Sequence, residues 1–169
     1  MKYILSLIIF TYLSVNNISA QNIPTMDGEK YENAYNYLLS DSASSNREYV
    51  VSDTLVFMER SPFWKFFQQK GESSIDCINR IDSIDNNNRF TKEYSQDLER
   101  MFGSNMKKAN LYFSRISDNV LFAEYFYRYG LSMDVSRTPE KYNAGYRYLF
   151  VFDADNNVKD VLKQMVAYK

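Results

Sequence analysis

The spacing of apolar residues along this chain changes at Gly103. Before Gly103, apolar side chains recur every three or four residues, which is the pattern of amphipathic helices. After Gly103 they alternate with other residues or run continuously, which is typical of β-strands. The change predicts an α+β fold in which N-terminal helices pack on a C-terminal antiparallel meander sheet.

Four segments before Gly103 carry the helical pattern, and each begins at a residue whose side chain can cap a helix N-terminus. Pro follows the cap of the second segment, where its missing N–H costs nothing, and the third begins with a Ser-x-x-Asp capping box. The predicted starts and ends are Thr25 or Asp27 to Leu39, Ser61 to Gly71, Ser73 to the polar run Asp85–Asn88, and Thr91 to Gly103.

Strands are predicted for the β-branched and aromatic segments of the chain. One precedes the second helix, and the others follow Gly103. Ser117–Asn119 has hairpin chemistry, and Gly130–Ala144, which contains a proline, is predicted to be a long loop. The predicted strands are Glu48–Met58, Leu111–Ile116, Val120–Tyr129 and Gly145–Phe152.

The last segment, Val158–Tyr168, fits two patterns. Its apolar residues match a helical stripe, while the turn-like residues Asp153–Asn157 before it suggest a hairpin that continues into a further strand. The strand is the favoured interpretation, and the helix remains open.

Helices packed across one face of a curved sheet would form a half-open cone. In the order of its elements, such a chain resembles cystatin-like and nuclear-transport-factor-like folds. The resemblance concerns architecture only, because no motif in the chain carries it, and it implies no site residue.

Residues 1–20 have the features of a cleavable signal peptide: Lys2, then an apolar run, then a short polar stretch ending in Ala20. The apolar run is shorter than the roughly 20 residues that span a bilayer, so the mature form is expected to have no membrane span. We expect cleavage before Gln21, a single globular domain over residues 21–169, and a secreted or periplasmic location.

Charge and missing residue types exclude several function classes. Without Lys2 the net charge goes from −1 to −2, which gives no electrostatic case for nucleic acid. The chain has no histidine and only Cys77 as cysteine, so His-dependent hydrolysis, disulfides within the chain and ordinary zinc sites are excluded. No phosphate-binding glycine motif is present, and no cofactor or metal is predicted.

Two further features concern Cys77 and the acidic turn near the C-terminus. Cys77 shares a helical arc with Ile81 and Ile84, so we expect its thiol to be buried and inert. The Asp153–Asn157 turn begins like a calcium loop, but Val158 stands where that loop needs glycine. A solvated hairpin turn is the favoured interpretation of these residues.

Aromatic residues supply the candidate binding site. Tyr125 and Tyr127 share one face of a predicted strand, and Tyr146 and Tyr148 share a face of the next. Trp64 lies in the ring-rich segment Ser61–Phe67, where the rings cannot all occupy one helix face. Tyrosine suits a ligand cavity or a protein interface, although core packing is the more frequent role of such stripes.

The favoured hypothesis for function is an exported, non-catalytic binding module that recognises a partner protein or an apolar small molecule through aromatic surface. A second is a cofactor-free enzyme in which Glu124 acts as base and a Tyr hydroxyl polarises a carbonyl. Glu124 and Arg128 share the opposite strand face, where they could be a buried acid and its cationic partner in an enzyme cavity or an exposed ion pair, and the exposed pair is the favoured interpretation. A third is a structural component of an exported assembly.

Overall fold

A computed structural model of the protein describes residues 25–41, 49–104, 109–127 and 144–167. The predicted signal peptide lies outside these residues, as does the predicted loop apart from Ala144. The helices are α1 (Met26–Ser40), a 3₁₀ helix (Ser61–Phe63), α2 (Trp64–Phe67), α3 (Ser74–Asn88) and α4 (Gln96–Phe102). The strands are β1 (Thr54–Val56), β2 (Lys92–Tyr94), β3 (Leu111–Phe113), β4 (Val120–Tyr127), β5 (Ala144–Phe152) and β6 (Val158–Ala167).

Strands β3 to β6 form an antiparallel meander in chain order, and β1 pairs with β2 in a separate two-stranded sheet. The α+β prediction is therefore confirmed, as is the strand interpretation of the C-terminal segment. The β3–β4 hairpin turns at Asp118 and Asn119, whose φ angles of 52° and 59° are left-handed. Ser117 and Val120 exchange backbone hydrogen bonds across this turn, as the sequence predicts.

Helical segments cover both faces of the four-stranded sheet, so the prediction that they occupy one face is wrong. Rings and aliphatic side chains of α1 and α4 pack on the face that carries Phe113, Tyr148 and Phe150. On the opposite face, Phe63 of the 3₁₀ helix packs against Phe122, with ring centroids 5.9 Å apart. The reason is the continuous apolar character of β5, because Leu149 is as fully buried as its two ring neighbours.

Helix α1 is fixed to the turns of both long hairpins. Lys30 donates from Nζ to Asn119 Oδ1 at 2.8 Å, although Lys30 itself is buried. Asn33 donates to the carbonyl of Asn156 at 2.9 Å, and the Asn156 side chain donates to Glu29 at 2.7 Å. These bonds align α1 across the sheet and keep the end of the β3–β4 hairpin in place beside it.

Helix α3 begins as predicted but continues further than expected. Ser73 accepts from the Asp76 N–H at 3.1 Å, and its hydroxyl donates to the Asp76 carboxylate at 2.7 Å. The helix continues through Asn88, so the prediction that Asp85–Asn88 ends it is wrong. Asp85 stays in the helix because its carboxylate is buried and bonded to Arg60, a partner 25 residues away.

Other predicted boundaries also change. Thr91 does not cap a helix, because Lys92–Tyr94 pairs with β1 and Ser95 caps α4 instead. The predicted strand Glu48–Met58 shortens to Thr54–Val56, and the predicted second helix ends at Phe67. Gly103 ends α4 with φ 76°, as predicted.

No helix among the described residues combines the length and the apolar run that crossing a bilayer requires.

Candidate functional site

The structure brings three of the four predicted binding tyrosines together on the α1 face of the sheet. Tyr125 lies directly opposite Tyr146 in the β4–β5 register, and Tyr148 follows on the same face. Tyr125 is 5% exposed and Tyr148 is 0% exposed, so both belong to the hydrophobic core. Tyr146 is half-buried, with Lys163 Nζ 4.4 Å from its ring centroid. A ligand could reach Tyr125 or Tyr148 only if this core opened.

The other two predicted binding residues are Tyr127 and Trp64. Tyr127 ends β4 with its backbone paired to Ala144, and its side chain lies outside the described part of the structure. Trp64 opens α2, which belongs to the layer on the opposite face of the sheet. Its ring is half-buried, and its carbonyl accepts a bond from the Cys77 thiol at 3.3 Å. Trp64 therefore does not share one site with Tyr125, Tyr146 and Tyr148.

A cavity of about 460 Å³ opens beside the β3–β4 hairpin. One side is formed by the segment that follows β1, by the last turns of α3 and by Phe90. The other side is formed by the hairpin. The lining residues are Phe57, Met58, Arg60, Ile84, Asn88, Phe90, residues 114–118, Val120 and Phe122.

The rings of Phe57 and Phe90 form one wall of this cavity, and a guanidinium group lies over each ring. The rings of Phe57 and Phe90 meet edge to face, with centroids 6.3 Å apart. The Arg115 guanidinium lies over Phe90 at 4.4 Å, and that of Arg89 lies over Phe57 at 5.3 Å. Arg115 lines the cavity and Arg89 does not. The wall therefore offers apolar area with a cation at its edge.

Arg60 lines the cavity and is held in place by Asp85. Its Nη1 donates to Asp85 Oδ1 at 2.7 Å, and its backbone N–H donates to Asp85 Oδ2 at 2.8 Å. The Asp85 side chain is 6% exposed and that of Arg60 is 20% exposed. Because one buried carboxylate holds both the backbone and the guanidinium, the position of Arg60 does not depend on a ligand.

Arg115 has a weaker partner. Its Nε donates to Glu93, and the two side chains are 55% and 42% exposed. Exposed ion pairs of this kind contribute about 0–1 kcal/mol to stability. A ligand can therefore compete with Glu93 for this guanidinium at little cost to the fold.

Glu124 is buried, which contradicts the exposed pair predicted for it. Its carboxylate accepts two bonds from Arg147, at 2.8 Å and 3.1 Å, across the β4–β5 register. Arg128, the predicted partner, lies outside the described residues. The side chains of Glu124 and Arg147 are 5% and 10% exposed, and neither residue lines the cavity. Arg128 lies on the same strand as Glu124, whereas Arg147, which bonds to Glu124, lies on the neighbouring strand.

The Cys77 thiol is fully buried, as predicted. Burial raises its pKa, so the thiolate is disfavoured. The sulfur lies between the Trp64 carbonyl and Arg80 Nη2, at 3.3 Å and 3.8 Å. These contacts describe a packing role for the thiol.

The acidic turn between β5 and β6 is organised by the side chain of its first residue, Asp153. Asp153 accepts from the N–H groups of Asp155 and Asn157, both at 2.9 Å, and Asn156 has a left-handed φ of 62°. Over the described ranges, no cluster of three or more acidic, cysteine or histidine side chains is placed to hold a metal ion.

Sequence reasoning missed the residues of the cavity. Phe57 lies in a segment predicted as a strand, and Arg115 and Phe122 lie in predicted hairpin strands, so each had a structural explanation by itself. The only local signal was the mixture of Arg and Phe in Arg89–Phe90.

Comparison with known proteins yields no family model, no curated protein and no solved structure that matches this chain.

Proposed function

We propose that this chain is an exported, non-catalytic binding module that receives an apolar ligand in the cavity beside the β3–β4 hairpin. The observation that carries the proposal is a cavity of about 460 Å³ with a wall of phenylalanine rings. Small-molecule sites in proteins typically measure about 300–1,000 Å³ and are lined by apolar and aromatic side chains with a few polar groups. The cavity meets the size criterion, and seven of its thirteen lining residues are apolar or aromatic.

The proposal depends on accessible aromatic surface, which phenylalanine rings supply and Tyr125 and Tyr148 do not. Tyr125 contacts Tyr49 edge to face at 4.8 Å, and Tyr148 stacks on Phe150 at 6.0 Å. Both tyrosine rings are therefore already packed against other aromatic rings of the core. Phe57 and Phe90 are only partly buried and face a cavity, so they can contact a ligand without any change in the core.

The enzyme hypothesis has one supporting observation, the burial of Glu124. A general base needs a substrate proton within hydrogen-bond reach, and Glu124 does not line the cavity. Its carboxylate is also held by Arg147. The binding module therefore fits the geometry better.

The proposal can be tested with a neutral fluorescent probe, N-phenyl-1-naphthylamine, and two variants of one helix. Ile84 lines the cavity and is 38% exposed, whereas Ile75 is 69% exposed and lies outside it. Both residues belong to α3. We expect saturable binding of the probe, weakened about tenfold by Ile84→Glu, since a charge replaces apolar contact, and unchanged by Ile75→Glu.

Absence of saturable binding, or an equal effect of the two substitutions, would contradict the proposal. Thermal unfolding of both variants controls for loss of structure. Because both sites are exposed, we expect each variant to stay within about 0.5 kcal/mol of the parent in stability.

A further inference from the structure

We infer that the ligand of this cavity is a small amphiphilic monoanion, an apolar body that carries one carboxylate or sulfonate group. The inference rests on the proposed function, because it specifies the ligand of the same cavity. It follows from the charged groups of the lining, which are the guanidinium groups of Arg60 and Arg115 and the carboxylate of Asp118.

The two guanidinium groups retain unused donors. An arginine side chain carries five N–H donors. Among the described residues, Arg115 uses only Nε, to Glu93, and Arg60 uses only Nη1, to Asp85. The remaining donors belong to the only two cations among the thirteen lining residues, and an anionic acceptor forms the strongest hydrogen bonds with such groups.

The carboxylates that partner these arginines do not line the cavity. Neither Asp85 nor Glu93 is a cavity residue, so a ligand inside meets the guanidinium groups rather than their partners. The Arg115 guanidinium also lies over the Phe90 ring, 4.4 Å from its centroid, which restricts its position before a ligand arrives. A fixed donor loses less entropy on binding than a mobile one.

The number of negative charges is limited by Asp118. Among the described residues it is the one acid in the lining, it is exposed, and its carboxylate accepts only from the Ser117 hydroxyl at 3.2 Å. A second negative charge on the ligand would meet Asp118 in the same cavity. A ligand with a single anionic group avoids this repulsion. That group can lie beside the guanidinium groups while the apolar body of the ligand contacts the phenylalanine wall.

The volume of the cavity favours a small molecule over a protein segment. At about 460 Å³ it lies in the lower half of the range for small-molecule sites. Protein interfaces are instead broad, with about 800 Å² buried on each partner. An acidic peptide remains an outcome that the experiment distinguishes.

The experiment compares two probes with the same aromatic body. The first is neutral N-phenyl-1-naphthylamine, and the second is 8-anilinonaphthalene-1-sulfonate, which adds one sulfonate. We expect the sulfonate probe to bind about tenfold more tightly than the neutral probe at low salt. Higher ionic strength should reduce this advantage.

Arg115→Met and Arg89→Met form a matched pair of variants. Both guanidinium groups lie over a phenylalanine ring, and their side chains are 55% and 58% exposed, but only Arg115 lines the cavity. We expect Arg115→Met to weaken binding of the sulfonate probe about tenfold more than binding of the neutral probe, which removes the advantage of the sulfonate. Arg89→Met should leave both unchanged, and Asp118→Asn should strengthen sulfonate binding about threefold.

The outcomes separate this inference from the proposed function. Saturable binding of the neutral probe, with no advantage for the sulfonate or with equal effects of the two arginine substitutions, overturns the monoanion and leaves the cavity as a binding site. Failure of both probes to bind overturns both. If a peptide with a C-terminal phenylalanine displaces the sulfonate probe better than decanoate does, the small-molecule assignment is wrong.

Discussion

Replacing Arg60 by methionine tests whether its ion pair with Asp85 holds the segment after β1 against α3. Breaking a buried ion pair by removing one partner typically costs about 3–5 kcal/mol, because a buried charge remains. Of its donors in the described part of the chain, the Asp85 carboxylate would keep only the backbone N–H of residue 60. Since the Arg60 side chain is 20% exposed, water can reach part of the vacated space. We therefore expect a loss of about 2–3 kcal/mol, below the fully buried case.

Urea unfolding and a thermal scan measure this loss directly. For a protein of this size, about 2–3 kcal/mol corresponds to a fall in Tm of roughly 4–12 °C. The urea midpoint should fall while the m-value stays the same, because the folded structure is otherwise unchanged. Arg89→Met is the control, since its pair with Glu59 is exposed on both sides and should contribute less than about 0.5 kcal/mol.

A double variant identifies the origin of the loss. Asp85→Asn keeps an oxygen that accepts from the residue 60 N–H and removes the stranded charge. Combined with Arg60→Met, it should recover more than half of the lost stability. If Arg60→Met costs no more than the Arg89→Met control, or if Asp85→Asn recovers nothing, the buried charge is not what links this segment to α3.

Three further predictions concern the sheet, the acid stability and the leader. Gly145→Ala should destabilise the protein by about 3 kcal/mol in urea unfolding, because an added Cβ would overlap the carbonyl oxygen of Tyr125 in the paired strand; a loss below about 1 kcal/mol would contradict this. The bond from Arg80 lowers the pKa of the Glu72 carboxyl from 4.5 to about 2, so its stabilisation is complete above about pH 4.5 and is lost as pH falls towards 2; Glu72→Gln should flatten this part of the stability profile, and an unchanged slope would refute the link. Mass spectrometry of the exported protein should find an N-terminus at Gln21, whereas a secreted chain that keeps residues 1–20 would refute cleavage.

Signals that act within a few residues were predictable from the sequence. Ser73 and Asp76 form their capping bonds inside one helical turn, and Gly103 supplies a left-handed end to α4. Asp118 and Asn119 turn the hairpin with left-handed φ angles that their side chains tolerate well. Each of these residues determines a local conformation without help from a distant partner.

Wrong boundaries occur where a distant partner overrides the local preference. Asp85 belongs to a run that would end an isolated helix, but its bond to Arg60 keeps it inside α3. Thr91 would cap a helix if the following residues were free, but Lys92–Tyr94 pairs with Thr54–Val56. Neither partner could be identified from one sequence, because both contacts depend on how the chain folds back on itself.

The predicted tyrosine site was based on the alternation of side chains along a strand, and β5 shows this alternation. Alternation places Tyr146, Tyr148 and Phe150 on one face of β5, as the structure has them. In the structure that face packs against α1, where Tyr148 and Phe150 are fully buried. Periodicity therefore indicates which residues share a face, and it does not indicate whether that face meets a ligand or another layer of the protein.

The cavity depends instead on the register of a short strand pair. Val56 lies opposite Lys92 in the β1–β2 pairing, so the chain leaves β1 at Phe57 beside the point where Phe90 approaches β2. A shift of this register by one residue would turn Phe57 to the other side of the strand and separate the two rings. Because β1 and β2 have only three residues each, their pairing needs support from packing around them. The bonds of Asp85 to Arg60 supply such support immediately after Phe57, so the ion pair that stabilises the fold also positions the wall of the proposed binding site.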